Sequence, residues 1–115
     1  MTLERIAAIL EARVAVGEEH LDREINCAGA SDMQSVILAK GHSGMLLLSG
    51  QLTPQTIHSC ILSDVSAAVM VRDTELPPET QKLAAQKGMV VLTVPYTLYE
   101  TCGRLYSTGL PGVKI

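Results

Sequence analysis

Three short runs in the second half of the chain are apolar at nearly every position: Met45–Ser49, residues 67–72 and residues 89–94. A strand with one face in water alternates apolar and polar residues, whereas a strand covered on both faces does not. Each run is followed by turn residues and then by apolar residues at helical spacing. Successive strand–helix units of this kind are typical of a mostly parallel sheet with right-handed crossovers. The sequence therefore predicts a layered α/β fold.

Capping signals mark where the helices of these units begin. Thr53 is followed by Pro54, which suits the first helical position because its missing N–H needs no partner there. Thr97 and Glu100 have the spacing of a capping box, in which two side chains satisfy backbone N–H groups reciprocally. We expect helices to start at both places, the last one running to about residue 108.

The first half of the chain carries weaker signals. A helix is predicted after Thr2, a short strand over Arg13–Val16, and a second strand over residues 22–30. A further capping box is predicted over residues 31–34, opening another helix. No linker rich in Pro, Gly or Ser divides the chain, so residues 1–115 are expected to form one domain.

Composition excludes several classes of function. The net charge is −3 without a basic stripe, and the chain has no Phe or Trp and three Tyr, so nucleic-acid binding is not expected. Apolar runs of about six residues are too short to cross a membrane. The N-terminus is predicted to be an amphipathic helix, and the three unpaired cysteines indicate reduced thiols. We therefore expect a cytoplasmic protein.

The parts of a catalytic site are missing from the sequence. Phosphoryl transfer needs a Gly-rich phosphate loop with a Lys, and none follows a strand here. His58 and Cys60 are two positions apart on a helix and point away from each other, so a metal site is not expected. Cys102 lies on an apolar stripe, where a cysteine behaves as a small hydrophobe. We expect no enzyme activity, no metal and no cofactor.

Polar residues cluster where the apolar runs end. Ligands of open α/β sheets bind at the carboxyl ends of the strands, and helix N-termini there favour anions. The candidate ligand-binding residues are Ser49, Gly50, Gln51, Thr53, Arg72, Thr93 and Thr97. The alternative is that the two threonines beside helices are simple caps, because every strand–helix loop contains such residues.

The last predicted helix carries all three aromatic residues of the chain. One stripe along it consists of Tyr96, Tyr99, Gly103, Tyr106 and Leu110, and a second consists of Leu98, Cys102 and Leu105. One stripe must face the sheet. If that is the second, the tyrosine stripe is exposed and predicts a homodimer interface. Alternatively, the tyrosines pack within the monomer with their hydroxyls at the surface.

Several short segments together resemble the DRTGG domain family, in particular its stand-alone, single-domain members. They are residues 21–25, 30–32, 46–50, 64–65, 68–72 and 88–97, with Tyr99 and Glu100. Related domains form the N-terminus of HPr kinase/phosphorylase and accompany CBS domains. The resemblance implies an α/β layer fold similar to the N-terminal domain of Mur ligases, and a regulatory role. Asp22 and Arg23 match the first letters of the family name.

The chain departs from the family at Ser49-Gly50-Gln51, where Thr-Gly-Gly is expected. Gln51 removes a glycine and its access to positive φ, which leaves open whether an anion site survives. The resemblance implies a non-catalytic regulatory domain that binds a small anionic ligand, such as a nucleotide or phosphorylated metabolite. The alternative is an accessory module that docks on a metabolic or redox enzyme, of hydrogenase type for example, without a small ligand.

Overall fold

The computed structural model describes residues 1–113 of the chain. Within them lie five strands: β1 (Arg13–Val16), β2 (Cys27–Ala30), β3 (Met45–Ser49), β4 (Ala67–Met70) and β5 (Val90–Thr93). The same part of the chain forms α1 (Leu3–Leu10), α2 (Gln34–Lys40), α3 (Pro54–Leu62), α4 (Pro78–Gln86) and α5 (Leu98–Tyr106). A single 3-10 turn, Glu18–His20, follows β1.

The strands form one sheet in the order β1-β5-β4-β3-β2. β2, β3, β4 and β5 run parallel, and β1 pairs antiparallel with β5. Helices α1 and α5 pack on one face, and α2, α3 and α4 pack on the other. The predicted mostly parallel α/β fold is therefore confirmed.

Strand β3 shows why apolar and polar residues do not alternate along these runs. Leu46 and Leu48 face the helices α1 and α5, whereas Leu47 faces the opposite layer. All three leucine side chains are at most 2% exposed. A strand in the middle of a sheet with helices on both sides needs apolar residues at every position.

The predicted strand over residues 22–30 is wrong in its first half, because only Cys27–Ala30 belongs to the sheet. The preceding residues bond instead to the start of α1. Leu3 N–H donates to the Arg23 carbonyl over 3.0 Å, and Ile25 N–H donates to the Met1 carbonyl over 2.7 Å. The Arg23 side chain reaches across the amino-terminal edge of the sheet and donates to the carbonyls of Ser66 (2.8 Å) and Gly88 (3.2 Å).

The capping box predicted over residues 31–34 is also wrong. Helix α2 begins at Gln34, and its N-cap residue Met33 makes no side-chain cap bond. The Ser31 hydroxyl accepts from Met33 N–H over 3.1 Å, which forms a tight turn before the helix. At the other end of the chain, α5 stops at Tyr106, two residues earlier than predicted. No α-helix of residues 1–113 is long and apolar enough to cross a membrane.

The three cysteines are free thiols with different burial, which predicts an order of reactivity. Burial raises the pKa of Cys60 to about 12, so at pH 8 only about one thiol in ten thousand is the reactive thiolate. Desolvation also raises the pKa of Cys102, which is only half-buried. We expect a thiol reagent at pH 8 to modify native Cys102 well before Cys60.

Peptide mapping after partial labelling checks this order. Full unfolding in guanidinium is the control, because all three thiols then react alike. Equal labelling of Cys60 and Cys102 in the native protein would contradict the packing described for α3.

Candidate functional site

Four loops meet at the carboxyl-terminal edge of the parallel strands. Arg72 N–H donates to the Tyr96 carbonyl over 2.7 Å, which ties the loop after β4 to the loop after β5. Ser31 N–H donates to the Leu48 carbonyl over 3.1 Å, which ties the loop after β2 to the end of β3. The side chains of these loops are therefore held in fixed relative positions at the edge where open α/β sheets bind ligands.

The carboxylate of Asp32 lies at the centre of this edge. Its Oδ1 accepts from the Ser49 hydroxyl over 2.6 Å and from Gly50 N–H over 2.9 Å. Ser49 is fully buried, and its hydroxyl is also within 3.0 Å of the Gln51 carbonyl. The Asp32 carboxylate thus already accepts from the Ser49 hydroxyl and from Gly50 N–H, two donors that the sequence assigned to an external anion. Asp32 was not among the predicted site residues, although an acidic residue just after a parallel strand is a recognisable signal.

The guanidinium of Arg72 approaches the same point from the next loop. Its Nη2 donates to the Gly50 carbonyl over 3.2 Å. A Cβ placed on Gly50 would lie 3.1 Å from that Nη2 and 3.6 Å from Oδ2 of Asp32. A side chain at position 50 would therefore crowd the Arg72 guanidinium, which would have to shift by a few tenths of an ångström. Among the described residues Arg72 forms no ion pair, and the residue is exposed.

Arg72 holds this position in a strained backbone conformation. Its φ is +64° and that of Asp73 is +54°, both in the left-handed region that favours glycine. Arg72 N–H donates to the Tyr96 carbonyl and Asp73 N–H donates to the Val94 carbonyl, and these two bonds hold the backbone in this conformation. Glu11 and Asp64 also have a positive φ, but Arg72 combines it with an exposed guanidinium at the edge where open α/β sheets bind ligands.

The other predicted ligand-binding residues lie apart from this cluster. The Thr53 and Thr97 hydroxyls accept from Thr56 N–H and Glu100 N–H, each over 3.2 Å, and so cap α3 and α5. Thr93 is 4% exposed and lines a cavity on the α4 side of the sheet. The structure therefore gathers Ser49, Gly50, Gln51 and Arg72 around Asp32, a set called the edge cluster below. Thr53 and Thr97 thus act as helix caps, which is the alternative that the sequence left open for them.

An apolar groove of about 380 Å³ lies beside this edge, between α5 and β2. The floor of the groove is formed by small residues and one leucine of the sheet. One wall is the outer side of α5, and the other wall is the segment that follows α5. This tyrosine groove is lined mainly by Ala28, Ala30, Leu48, Tyr99, Cys102, Gly103, Tyr106 and residues 110–112.

The predicted tyrosine stripe is divided between two environments. Tyr99 and Tyr106 are 89% and 74% exposed, and Gly103 lies between them. Tyr96 is instead half-buried, with the Arg104 guanidinium 3.9 Å from its ring centre. Leu110 is 6% exposed and belongs to the core on the α1 and α5 face. The prediction that all five residues share one exposed face is wrong, because α5 covers only Leu98–Tyr106. Tyr96 precedes the N-cap Thr97 and Leu110 follows the helix, so helical periodicity does not apply to either residue.

Among the solved structures of similar fold is a regulatory region. It is the crystal structure of the CBS and DRTGG domains of the regulatory region of Clostridium perfringens pyrophosphatase, in complex with its activator, diadenosine tetraphosphate. The TM-score is 0.72 at 19% sequence identity, over 96% of this chain and 47% of that one. The chain thus spans about half the length of the protein it matches.

This likeness shows the fold, and it agrees with the DRTGG-like α/β fold that the sequence resemblance implies. No model of a protein family matches the sequence, and no curated protein matches it at a significant level.

Proposed function

We propose that this chain is a non-catalytic regulatory domain that binds a small anionic ligand, a nucleotide or a phosphorylated metabolite, at the edge cluster. The observation that carries the proposal is the strained Arg72, whose guanidinium is held over Gly50 at the carboxyl edge of the sheet. A guanidinium offers several N–H groups in a planar fork that matches phosphate oxygens, and it remains charged at all physiological pH values.

The position of Asp32 restricts which anions suit the cluster. Its carboxylate and the Arg72 guanidinium both approach Gly50 without forming an ion pair, and its Oδ1 accepts from Ser49 and Gly50. A bare anion must approach this negative charge, whereas a ligand that also offers hydroxyl or amino donors can bond to Oδ2. The cluster therefore favours ligands that combine an anionic group with hydrogen-bond donors.

The solved structure supports a regulatory role of this kind. The regulatory region that it shows is crystallised with a nucleotide activator, and about half of that region has the fold of this chain. A domain of this fold within a regulatory assembly is consistent with ligand binding as its contribution.

The geometry also supports a non-catalytic role for the edge cluster. The Ser49 hydroxyl is fully buried and donates to Asp32, so it is not available as a nucleophile. Asp32 Oδ1 is committed to two donors and orders the loops. Proton or phosphoryl transfer needs a reactive group within reach of bound ligand, whereas these two side chains serve to fix the binding edge.

A thermal-shift panel of pyrophosphate, nucleoside phosphates and sugar phosphates tests the proposal. A ligand present at about 100 times its Kd should add about 2.7 kcal/mol to the free energy of unfolding. We expect Arg72→Gln to abolish the shift. Lys82→Gln on the exposed side of α4 removes the same charge and should leave the shift intact. The proposal is wrong if both variants respond alike, or if no anion stabilises the parent chain.

A second candidate function is docking on a partner enzyme. The observation that favours it is a set of exposed apolar side chains on two adjoining helices: Met33 at the N-cap of α2, Leu38 on α2 and Leu62 on α3 are 62%, 49% and 67% exposed. Apolar side chains exposed on one side of a protein are typical of protein contacts when they are contiguous. Co-purification of a metabolic or redox enzyme with the parent chain, lost in Leu62→Glu but kept in Arg72→Gln, would support docking over ligand binding.

A further inference from the structure

We infer that the tyrosine groove is the base subsite of the same ligand, which makes that ligand a nucleoside phosphate with its planar base on α5. The inference rests on the proposed function and adds the chemical class of the ligand. It assigns the phosphate to Arg72, the ribose hydroxyls to Asp32, and the base to the space between Tyr99 and Tyr106.

The groove and the edge cluster are continuous along two strands. Ala30 and Leu48 line the groove, and each is followed two residues later by a cluster residue, Asp32 or Gly50. At about 3.3 Å per residue of extended chain, the two residues that separate the groove from the cluster span at most about 7 Å. A ribose bridges a separation of this size between a base and its phosphate.

The two exposed tyrosines leave a slot for a flat ring. Tyr99 and Tyr106 are seven residues apart, about 10 Å along the helix and on the same side. Gly103 lies between them, and a Cβ placed there would meet nothing within 4 Å apart from its own helix. A planar ring can therefore lie against the helix backbone between two aromatic side chains. Stacking of a base on an aromatic side chain raises affinity by about fivefold to a hundredfold.

Charge complementarity joins the two sites. Asp32 Oδ2 is the carboxylate oxygen that makes neither of the bonds to Ser49 and Gly50. Oδ2 and the Arg72 guanidinium both lie within 4 Å of the position that a Cβ on Gly50 would take, but they form no ion pair. In other open α/β sheets an acidic residue after a strand accepts from ribose hydroxyls. A ribose next to a phosphate presents the donors and the negative charge that this pair of side chains requires.

A second copy of the chain fits this face less well. A stable interface buries about 800 Å² on each partner and has a continuous apolar centre. In the described part of the chain, the exposed large apolar residues on this face are Tyr99 and Tyr106, with a concave gap between them. A concave apolar space of about 380 Å³ has the size of a small-molecule pocket.

Calorimetric titration with ADP and with pyrophosphate separates the base from the phosphate. We expect ADP to bind the parent chain at least about tenfold more tightly than pyrophosphate, the ratio that one stacked base supplies. Gly103→Leu fills the slot with a better helix former. It should reduce ADP affinity to that of pyrophosphate and leave pyrophosphate affinity unchanged, as should Tyr106→Ala. Gln86→Leu on α4 is the matched control and should alter neither.

Each alternative outcome has a distinct meaning. Equal affinities of ADP and pyrophosphate for the parent chain would overturn the base subsite and leave the anion site standing. Absence of binding by both ligands would overturn the inference together with the proposed function. If sedimentation shows a dimer that Gly103→Leu or Tyr106→Ala dissociates, the groove is a subunit interface and the inference is wrong.

Discussion

The Arg72→Gly variant is expected to be more stable than the parent chain and to bind pyrophosphate at least about tenfold more weakly. The stability gain follows from the backbone, because a left-handed φ costs a residue with a side chain about 1–2 kcal/mol and costs glycine almost nothing. Loss of the exposed bond from Arg72 to the Gly50 carbonyl offsets part of this gain. A net increase of about 0.5–1 kcal/mol in the free energy of unfolding remains.

The binding loss follows from the removed guanidinium. A hydrogen bond to a charged group contributes about 1.5–3 kcal/mol, which corresponds to about tenfold to a hundredfold in affinity. Opposite changes in stability and in binding are the sign of a residue that is kept for function despite its strain.

Asp73→Gly provides the matched control, because Asp73 is the next residue and its φ is also positive, at +54°. Its replacement should raise the free energy of unfolding similarly and leave pyrophosphate binding in place. Chemical denaturation and calorimetry measure the two effects separately. If Arg72→Gly destabilises the chain and binds pyrophosphate as tightly as the parent, neither the strain nor the role of the guanidinium holds.

Leu46→Ala and Leu47→Ala are each expected to lower the free energy of unfolding by about 2–5 kcal/mol. The two side chains are 0% exposed and point to opposite faces of the sheet, so each leaves a cavity in a different helix layer. A sheet with one open face would give one large and one small effect at such neighbouring positions. Since small domains have a total stability of about 5–15 kcal/mol, either variant loses a substantial part of it.

Leu62→Ala makes the same change of side chain at a position that is 67% exposed, and should alter stability by at most about 0.5 kcal/mol. The comparison uses urea denaturation of the parent chain and the three variants, fitted with one common dependence of the free energy of unfolding on urea concentration. A small loss for either buried leucine would mean that one face of β3 is not packed as described.

The parallel sheet could be predicted because burial on both faces leaves a direct mark on the sequence. Strands β3, β4 and β5 are apolar at nearly every position, and the pattern specifies a helix layer on each side. Residues 22–26 misled the prediction because their bonding partners lie far away in sequence, at Met1 and Leu3. The spacing of apolar residues within a segment does not show which distant backbone groups the segment bonds to.

The sequence predicted where the edge cluster lies, but not that Asp32 is at its centre. The apolar runs that lead to Ser49 and Arg72 were recognisable, although β4 ends at Met70, two residues before Arg72. The parallel pairing of β3 with β4 brings the two loops together. The role of Asp32 depends on the loop after β2 turning towards Gly50, and a Ser31 turn that resembles a capping box concealed it. The sequence left open whether the tyrosines are exposed or packed, and the structure exposes Tyr99 and Tyr106. Arg104 lies over the Tyr96 ring and also pairs with Glu100, whose Oε2 is 3.2 Å from Arg104 Nε.

The central claim is that the carboxyl edge of the sheet binds an anionic ligand through Arg72. Amide chemical shifts of the isotopically labelled parent chain during titration with pyrophosphate test it most directly, because they report the location of binding without any substitution. We predict saturable shifts concentrated at Gly50, Gln51, Arg72 and the Tyr96–Thr97 amides. Shifts confined to the amino-terminal edge around Arg23 and Gly88, or no saturable shifts, would contradict the claim.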